Sequence, residues 1–386
     1  MFELLATATG SKARRGRLTT SHGVIETPAF MPVGTQGSVK AISPRELREM
    51  NAQVVLGNTY HLFVRPGLEV IGKFGGLHRF MNWDGPILTD SGGYQIFSLA
   101  KLRKITEEGA HFQNHLDGTP TFISPEIAME IQHSLGSDIA MVLDECSPWP
   151  CEKDYAAKSL EMTLRWARRC KDVAAGVSPA KHMGTAADTA ASTQLVFGIV
   201  QGATFADLRR ESAEALVQIG FDGYAIGGVS VGEPEEEMMR AIENSEPFLP
   251  NDKPRYAMGL GSPPQMLELI GRGVDMFDCV LPTRVARNGM AFTNAGTTNV
   301  KNAVHTFETG PIEEGCICEA CAGGFSRAYL RHMLKSEEIL GLRLVSLHNL
   351  HFYLDLMKRA RTAIENGTFS DFRRAFVGNY KPREAL

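Results

Sequence analysis

Four runs decide the fold: VFGIVQG at 196–202, GYAIGG at 223–228, YAMGLG at 256–261 and MFDCVLP at 276–282. Each is short and continuously apolar rather than alternating, as expected of strands buried on both faces of a parallel sheet. Toward the N-terminus four more runs read the same way: PAFMPV near 28–33, VVLGN at 54–58, PILTD at 86–90 and DIAMVLD at 138–144. Helix starts lie between them. Ser43-Pro44-Arg45-Glu46 supplies a hydroxyl cap, a proline in the first turn and a Glu that closes a capping box. Ser262-Pro263-Pro264-Gln265 repeats the pattern, and Ser124-Pro125 opens IAMEIQHSLG. TFADLRRESAEALVQIG has apolar residues at 205, 208, 216 and 219, an amphipathic stripe. Strand then helix, about eight times over in roughly 250 residues, predicts an α/β chain folded as a (β/α)8 TIM barrel. The alternative is an open doubly wound sheet. No G-x-G-x-x-G opens a first helix, which favours the barrel.

Two stretches exceed a minimal barrel. Residues 91–123 are long for one loop and predict a small hairpin; residues 174–193 are small and polar and read as a flexible loop. After about 300 the pattern changes to a cysteine cluster followed by helices. The expected division is a catalytic barrel over 1–300, a zinc-binding subdomain over 301–360 and a C-terminal helix or tail over 361–386.

Hydrophobic residues make up 43% of the 386 and charged residues 22%, which excludes a disordered or collagen-like chain. No run reaches the roughly 18 apolar residues of a membrane span. In MFELLATATGSKARRG the bases follow the apolar residues, the reverse of a secretory signal, so a cytoplasmic chain is expected. The net charge of −4 points to neither nucleic acid nor membrane. Residues 281–386 hold 14 Lys or Arg and 10 Asp or Glu, a sum of +4; the remaining 280 hold 26 and 34, a sum of −8. A basic C-terminal part on an acidic body steers a polyanion to one side, although so small a contrast carries little weight alone.

In such barrels the C-terminal strand ends carry the chemistry. Here they are Asn58, Asp90, Asp144, Gln201, Gly228, Gly261 and Asp278. A single strand-end Asp serves equally well as a helix cap; three on one rim favour function. Paired carboxylates suit cleavage of a glycosidic bond, where one stabilises or traps the sugar cation and the other moves the proton. Metal-assisted hydrolysis needs histidines at strand ends, and none is there: His61 and His133 read as ordinary loop and helix residues. Cys279 reads as a buried structural thiol, because strand neighbours face opposite ways and Asp278 takes the mouth. Cys146 shares a face with Asp144 and is expected to line the pocket without reacting. In SGGYQ, Ser91–Gln95, glycines admit a flat ligand and Tyr94 can stack on it; a plain turn with a core tyrosine is the plainer reading. Arg284 and Arg287 in TRVARNG read evenly as phosphate contacts or a solvated basic loop. Cys316-x-Cys318-x2-Cys321 with His348 provides three thiolates and an imidazole, which saturate tetrahedral zinc and make its role structural. His332 and His351 compete with His348 for the fourth position.

In this order TPAFMPVGT, LGNTYHL, RPG, ILTDSGGYQ, HLDG, SPE, LDEC, GIVQG, FDGYAIGG, YAMGLG and FDCVLPTR resemble the tRNA-guanine transglycosylases. RNGMAFT, CxCxxC, SRAYL and HN extend the match, so that it spans roughly 25–350. The resemblance implies a barrel with a zinc subdomain and exchange of the wobble guanine of tRNAs for Asp, Asn, His and Tyr, in queuosine biosynthesis. It matches Asp278 to the nucleophile that forms a covalent ribosyl intermediate and Asp90 to the general acid/base. Tyr94, Asp144, Gln201, Gly228 and Met258 match the base pocket; Cys316, Cys318, Cys321 and His348 match the ligands of one structural zinc. The implied partners are tRNA, a free 7-deazaguanine base and a second copy of the chain. Cys146 and Val231 favour the bacterial type, which takes 7-aminomethyl-7-deazaguanine rather than queuine. Ser262 stands where the family often has Lys, and the 174–193 loop is expanded, so tRNA contacts there depart from the pattern. Two alternatives are a non-catalytic tRNA-binding partner subunit, which should lack one or both aspartates, and a barrel nucleoside hydrolase, which should work without tRNA.

Overall fold

The computed structural model describes residues 1–99, 103–176 and 194–381. The expected loop at 174–193 therefore lies mostly outside the described residues. Eight parallel strand positions close into a barrel. They are β1 (Ala29–Met31 and Val33–Gly34), β2 (Val55–Gly57), β3 (Ile87–Thr89), β4 (Ile139–Met141), β5 (Leu195–Val200), β6 (Gly223–Ile226), β7 (Arg255–Ala257) and β8 (Met276–Asp278). Their order around the sheet is their order in the chain. Pro32 splits β1. Ala29–Met31 pairs with β8, where Asp278 lies opposite Met31, and Val33–Gly34 pairs with β2, where Val33 lies opposite Leu56. Proline has no N–H for the ladder, but its carbonyl accepts from Leu56 N–H at 3.0 Å. The two halves thus close the ring from opposite sides.

β2, β3, β4, β6 and β7 are buried at every position, which is why their sequences do not alternate. The predicted caps form. Ser43 N–H donates to Glu46 Oε2 at 2.8 Å, Ser124 Oγ accepts from Ile127 N–H at 3.2 Å, and Ser262 N–H donates to Gln265 Oε1 at 3.1 Å. The buried Glu46 also pairs with Arg343 of the long helix Ile339–Glu365, which packs against β1 and so ties the C-terminal part to the barrel.

An antiparallel sheet of Phe2–Thr7, Arg14–Thr20 and Gly23–Thr27 precedes the barrel. It sits at the N-terminal ends of the strands: Arg14 Nη2 pairs with Asp275 at 2.5 Å and His22 Nδ1 with Asp138 Oδ1 at 2.8 Å, just before β8 and β4. The described residues between 93 and 123 form a helix, Gly93–Leu99, and a three-stranded antiparallel sheet of Arg103–Ile105, Ala110–Gln113 and Pro120–Ile123, one strand more than the expected hairpin. Among the described residues no helix is long and apolar enough to cross a membrane.

Candidate active site

A cavity of about 450 Å³ opens at the C-terminal ends of the strands. β3 delivers Asp90, the helix after it Tyr94, and the segment after β4 delivers Asp144 and Cys146. β5 brings Gln201, β6 Gly228, β7 Met258, and β8 Asp278; Arg284 stands at the rim. Nine residues singled out in the sequence thus face one space. Arg287 does not line it; this residue is exposed and its Nε donates to Thr283 O at 3.3 Å.

Asp90 is held by Asn58, whose Nδ2 donates to Oδ2 at 2.5 Å, and by Thr59 N–H, which donates to Oδ1 at 2.9 Å. Burial, reinforced by the charge of Asp278 and opposed by Thr59 N–H, pushes its pKa up to about 7. A carboxyl group so placed exchanges a proton near neutrality. Asp278 takes two donors on Oδ1, Tyr256 OH at 2.5 Å and Gly259 N–H at 2.8 Å. Burial raises its pKa against those two bonds. With Oδ1 so engaged, Oδ2 is the oxygen left for a ligand.

The cavity's far wall is an acceptor array. Asp144 Oδ1 accepts from Ser91 Oγ at 3.0 Å and Oδ2 from Gln201 Nε2 at 2.7 Å. Gly93 lets the following helix approach, since a Cβ there would lie 2.6 Å from Asp144 O. Tyr94, 49% exposed, stands over the opening. Past Gly228, Ser230 N–H and Val231 N–H both donate to the Glu233 carboxylate, at 2.5 and 2.8 Å. The 229–230 peptide is trans, so Val229 C=O points the other way from Ser230 N–H. Cys146 is buried, and burial pushes its thiol up to about 12; burial likewise raises Cys279. Neither is a thiolate nucleophile.

Two expectations need correction. His61, read as an ordinary residue, lies on the helix Thr59–Val64 and lines the cavity. Cys279 lines it as well as Asp278, because β8 ends at Asp278 and strand alternation stops there; its Sγ turns to Gly261 O at 3.4 Å. Sequence reasoning misses Tyr256, Ser91, Glu233 and Arg209 as site residues. Tyr256 opens YAMGLG and is detectable as a strand position; the others contact backbone or neighbouring polar groups that sequence does not display.

Away from the cavity, Cys316, Cys318, Cys321 and His348 converge. His348 Nδ1 lies 3.7, 3.5 and 3.4 Å from the three sulfurs. Tetrahedral zinc with ordinary Zn–S and Zn–N bonds requires about 3.6 Å between those atoms. His348 Nε2 lies 2.7 Å from Phe292 O, which fixes the ring as a metal-bound imidazole needs. His351 Nδ1 approaches Cys316 at 3.8 Å, but the four-ligand group takes His348. The donor set therefore fits a structural metal ion. A second group, His22, His78 and Asp138, lies at the opposite end of the strands. Its imidazoles stack, with centroids 3.6 Å apart and planes 18° from parallel, so their in-plane lone pairs do not meet at one ion.

A closed parallel barrel with paired carboxylates around one strand-end cavity has the arrangement used by enzymes that break and remake glycosidic bonds. The family pattern of queuine tRNA-ribosyltransferases matches residues 9–382. The chain is 54% identical over 384 residues to the queuine tRNA-ribosyltransferase of Symbiobacterium thermophilum, covering all of this chain and 92% of that protein. It is 53% identical over 379 residues to that of Lysinibacillus sphaericus and 52% to that of Staphylococcus aureus, covering 98% of this chain and 96% of each. The chain belongs to the queuine tRNA-ribosyltransferase family.

Proposed function

We propose that this chain exchanges the wobble guanine of tRNAs for Asp, Asn, His and Tyr for a 7-deazaguanine, by two displacements at the same ribose carbon. The observation that carries this is the placement of Asp90 and Asp278 on one cavity whose wall is the Asp144–Gln201 pair. The target nucleotide leaves the stack, as chemistry on a base in a folded nucleic acid requires. Asp144 accepts from the N1–H and 2-amino edge of guanine, Gln201 and Gly228 face the 6-oxo group, and Tyr94 and Met258 cover the ring. Asp278 Oδ2 attacks C1′ as the C1′–N9 bond breaks, giving a ribosyl ester. Asp90, whose pKa burial raises to about 7, gives its proton to the departing guanine. It takes one back from the incoming base, whose nitrogen then displaces the ester, so the proton count closes.

The incoming base is 7-aminomethyl-7-deazaguanine, and the reading is of the bacterial type. Supporting this, Glu233 holds the 229–230 peptide so that Val229 C=O is free to accept from an aminomethyl group. Arg284 at the rim and Arg287 beside it hold tRNA phosphates. Cys316, Cys318, Cys321 and His348 hold one zinc ion, which staples the basic C-terminal part. Ile317, 79% exposed between the ligands Cys316 and Cys318, and Phe307, 91% exposed, are the apolar surface for a second copy, making a homodimer in the cytoplasm.

The test is guanine exchange with radiolabelled base on unmodified tRNA. Asp278→Asn removes the nucleophile and should abolish incorporation while leaving tRNA binding in place. Near-normal exchange by that variant sinks the mechanism, and equal turnover of free guanosine favours a nucleoside hydrolase.

A further inference from the structure

Arg209 is fully buried on the helix Ala206–Ile219 and, among the described residues, forms no ion pair with a carboxylate. Its guanidinium is spent on carbonyls. Nε donates to Ala203 O at 2.7 Å, Nη1 to Gly227 O at 2.7 Å and Val200 O at 3.2 Å, and Nη2 to Gly228 O at 3.1 Å. These carbonyls belong to the ends of β5 and β6, the strands that bring Gln201 and Gly228 to the cavity. Burial lowers the pKa of Arg209 to about 10, so it remains a cation at neutral pH. Burying a cation that no carboxylate contacts, offset only by the more distant charge of Glu233, is expensive; a neutral amide at this position could still tie down a carbonyl.

The geometry beyond the carbonyls shows what the charge does. The 227–228 and 228–229 peptides are trans. In a trans peptide the N–H points opposite to the C=O. With Gly227 O and Gly228 O turned to Arg209, the N–H groups of Gly228 and Val229 point away from it. Among the described residues neither donates to a protein acceptor. Both residues line the cavity. Gly228 has φ +59°, and a Cβ there would lie 2.3 Å from Gln201 Oε1, so the turn needs glycine.

We propose that Arg209 is a positioning residue for the departing base: it fixes and polarises the 227–228 peptide so that Gly228 N–H meets the 6-oxo group as negative charge builds on guanine. This rests on reading the cavity as the guanine pocket. A carbonyl that accepts from a cation draws electron density through the amide and strengthens the N–H as a donor. When C1′–N9 breaks, the bonding pair leaves with the base and delocalises onto O6. A donor already aimed there gains more in the transition state than in the ground state.

The experiment compares two tRNAs, one with guanine and one with 2-aminopurine at the wobble position; the second keeps the 2-amino group and lacks both the 6-oxo group and the N1–H, so each variant is compared only with wild type on the same tRNA. Single-turnover release of each base is measured for wild type, Arg209→Gln and Arg209→Lys. On the guanine tRNA, Arg209→Gln should lower the limiting single-turnover rate roughly 10- to 100-fold with little change in the enzyme concentration that gives half of it, short of the loss for deleting an oxyanion donor outright. Arg209→Lys, which keeps the charge without the fork, should fall between, and it keeps the test open if the Gln variant does not fold. On the 2-aminopurine tRNA, where wild type too should be slow, each variant should match wild type within about threefold. Equal fold-losses on both substrates, or no loss on guanine, overturn the inference and leave the pocket reading intact. Failure of the pocket reading shows separately, as unchanged affinity of Asp144→Asn for free guanine.

Discussion

Asp90→Asn turns the burial of one carboxyl group into a measurable dependence of stability on pH. In the native chain the pKa of Asp90 moves from 3.8 to about 7, chiefly through burial and then through the charge of Asp278. The native state therefore holds a proton that the unfolded chain has already lost. Stability contributed by this group is full below about pH 4, falls as pH rises, and levels off above about pH 7. Each pH unit over which the two states differ by one proton costs about 1.4 kcal/mol, so the penalty is about 2 kcal/mol at pH 5 and about 4 kcal/mol at pH 8. Asparagine escapes it at every pH. It incurs a separate, pH-independent cost of about 1–3 kcal/mol, because Asn58 Nδ2, which donates to Asp90 Oδ2 at 2.5 Å, then faces an amide that can present only one acceptor. All other groups titrate alike in both proteins and cancel in the difference, apart from Asp278, which shares the cavity and whose response is part of the same pair.

The variant's stability relative to wild type should therefore improve by roughly 2–3 kcal/mol between pH 5 and pH 8. Urea unfolding followed by the fluorescence of Trp83, Trp149 and Trp166, with zinc kept in excess, measures it. A difference that stays flat within about 0.5 kcal/mol would mean that native Asp90 is already ionised at pH 5. A carboxylate with no proton near neutrality cannot protonate the departing base, so the acid role would go with it.

Asp144→Asn should weaken binding of free guanine by about 2–3 kcal/mol, since the amide replaces an acceptor that Ser91 and Gln201 hold toward the base edge. Calorimetry with guanine reads this, and unchanged affinity refutes the assignment. His348→Ala should drop bound zinc below one ion per chain and expose Cys318 and Cys321 to thiol reagents. His351→Ala should keep the metal; loss of zinc from the second variant alone would reverse the choice of ligand.

The barrel is legible because most of its strands are buried on both faces, so the apolar runs mark strands with almost no polar interruption. Strand ends then follow by counting, which picks out Asp90, Asp144, Gln201 and Asp278. Where strand geometry stops, counting stops too. Alternation carried one residue past Asp278 puts Cys279 on the wrong side. The break of β1 at Pro32 is a matter of which neighbour each half pairs with, and that is set by closure of the ring. Arg209 sits in LRRES, where its neighbour Arg210 pairs with Glu214 in the ordinary helical manner. Helical periodicity puts Arg209 beside the stripe at 205, 208, 216 and 219 and Arg210 on the opposite side, but nothing in the letters says what Arg209 meets there. What buries one of them is a set of carbonyls, and every residue type carries a carbonyl.

The metal cluster makes the same point from the other direction. CxCxxC fixes three ligands within six residues, and no tertiary information is needed to see them. The fourth is ambiguous in the sequence because His348 and His351 are three apart on one helix, near enough to 3.6 for both to face the cysteines. The choice depends on which ring can be anchored. His348 Nε2 lies 2.7 Å from Phe292 O, on the strand Met290–Thr293, and Phe292 N–H donates to Asn349 Oδ1 at 3.0 Å. Consecutive side chains of one helix thus grip both backbone groups of one strand residue, and that grip sets the angle at which the imidazole meets the sulfurs. Asn349→Leu should accordingly loosen the metal without touching a ligand, for it removes the partner that holds Phe292 in register; a chelator competition that finds zinc held as tightly as in wild type would refute this.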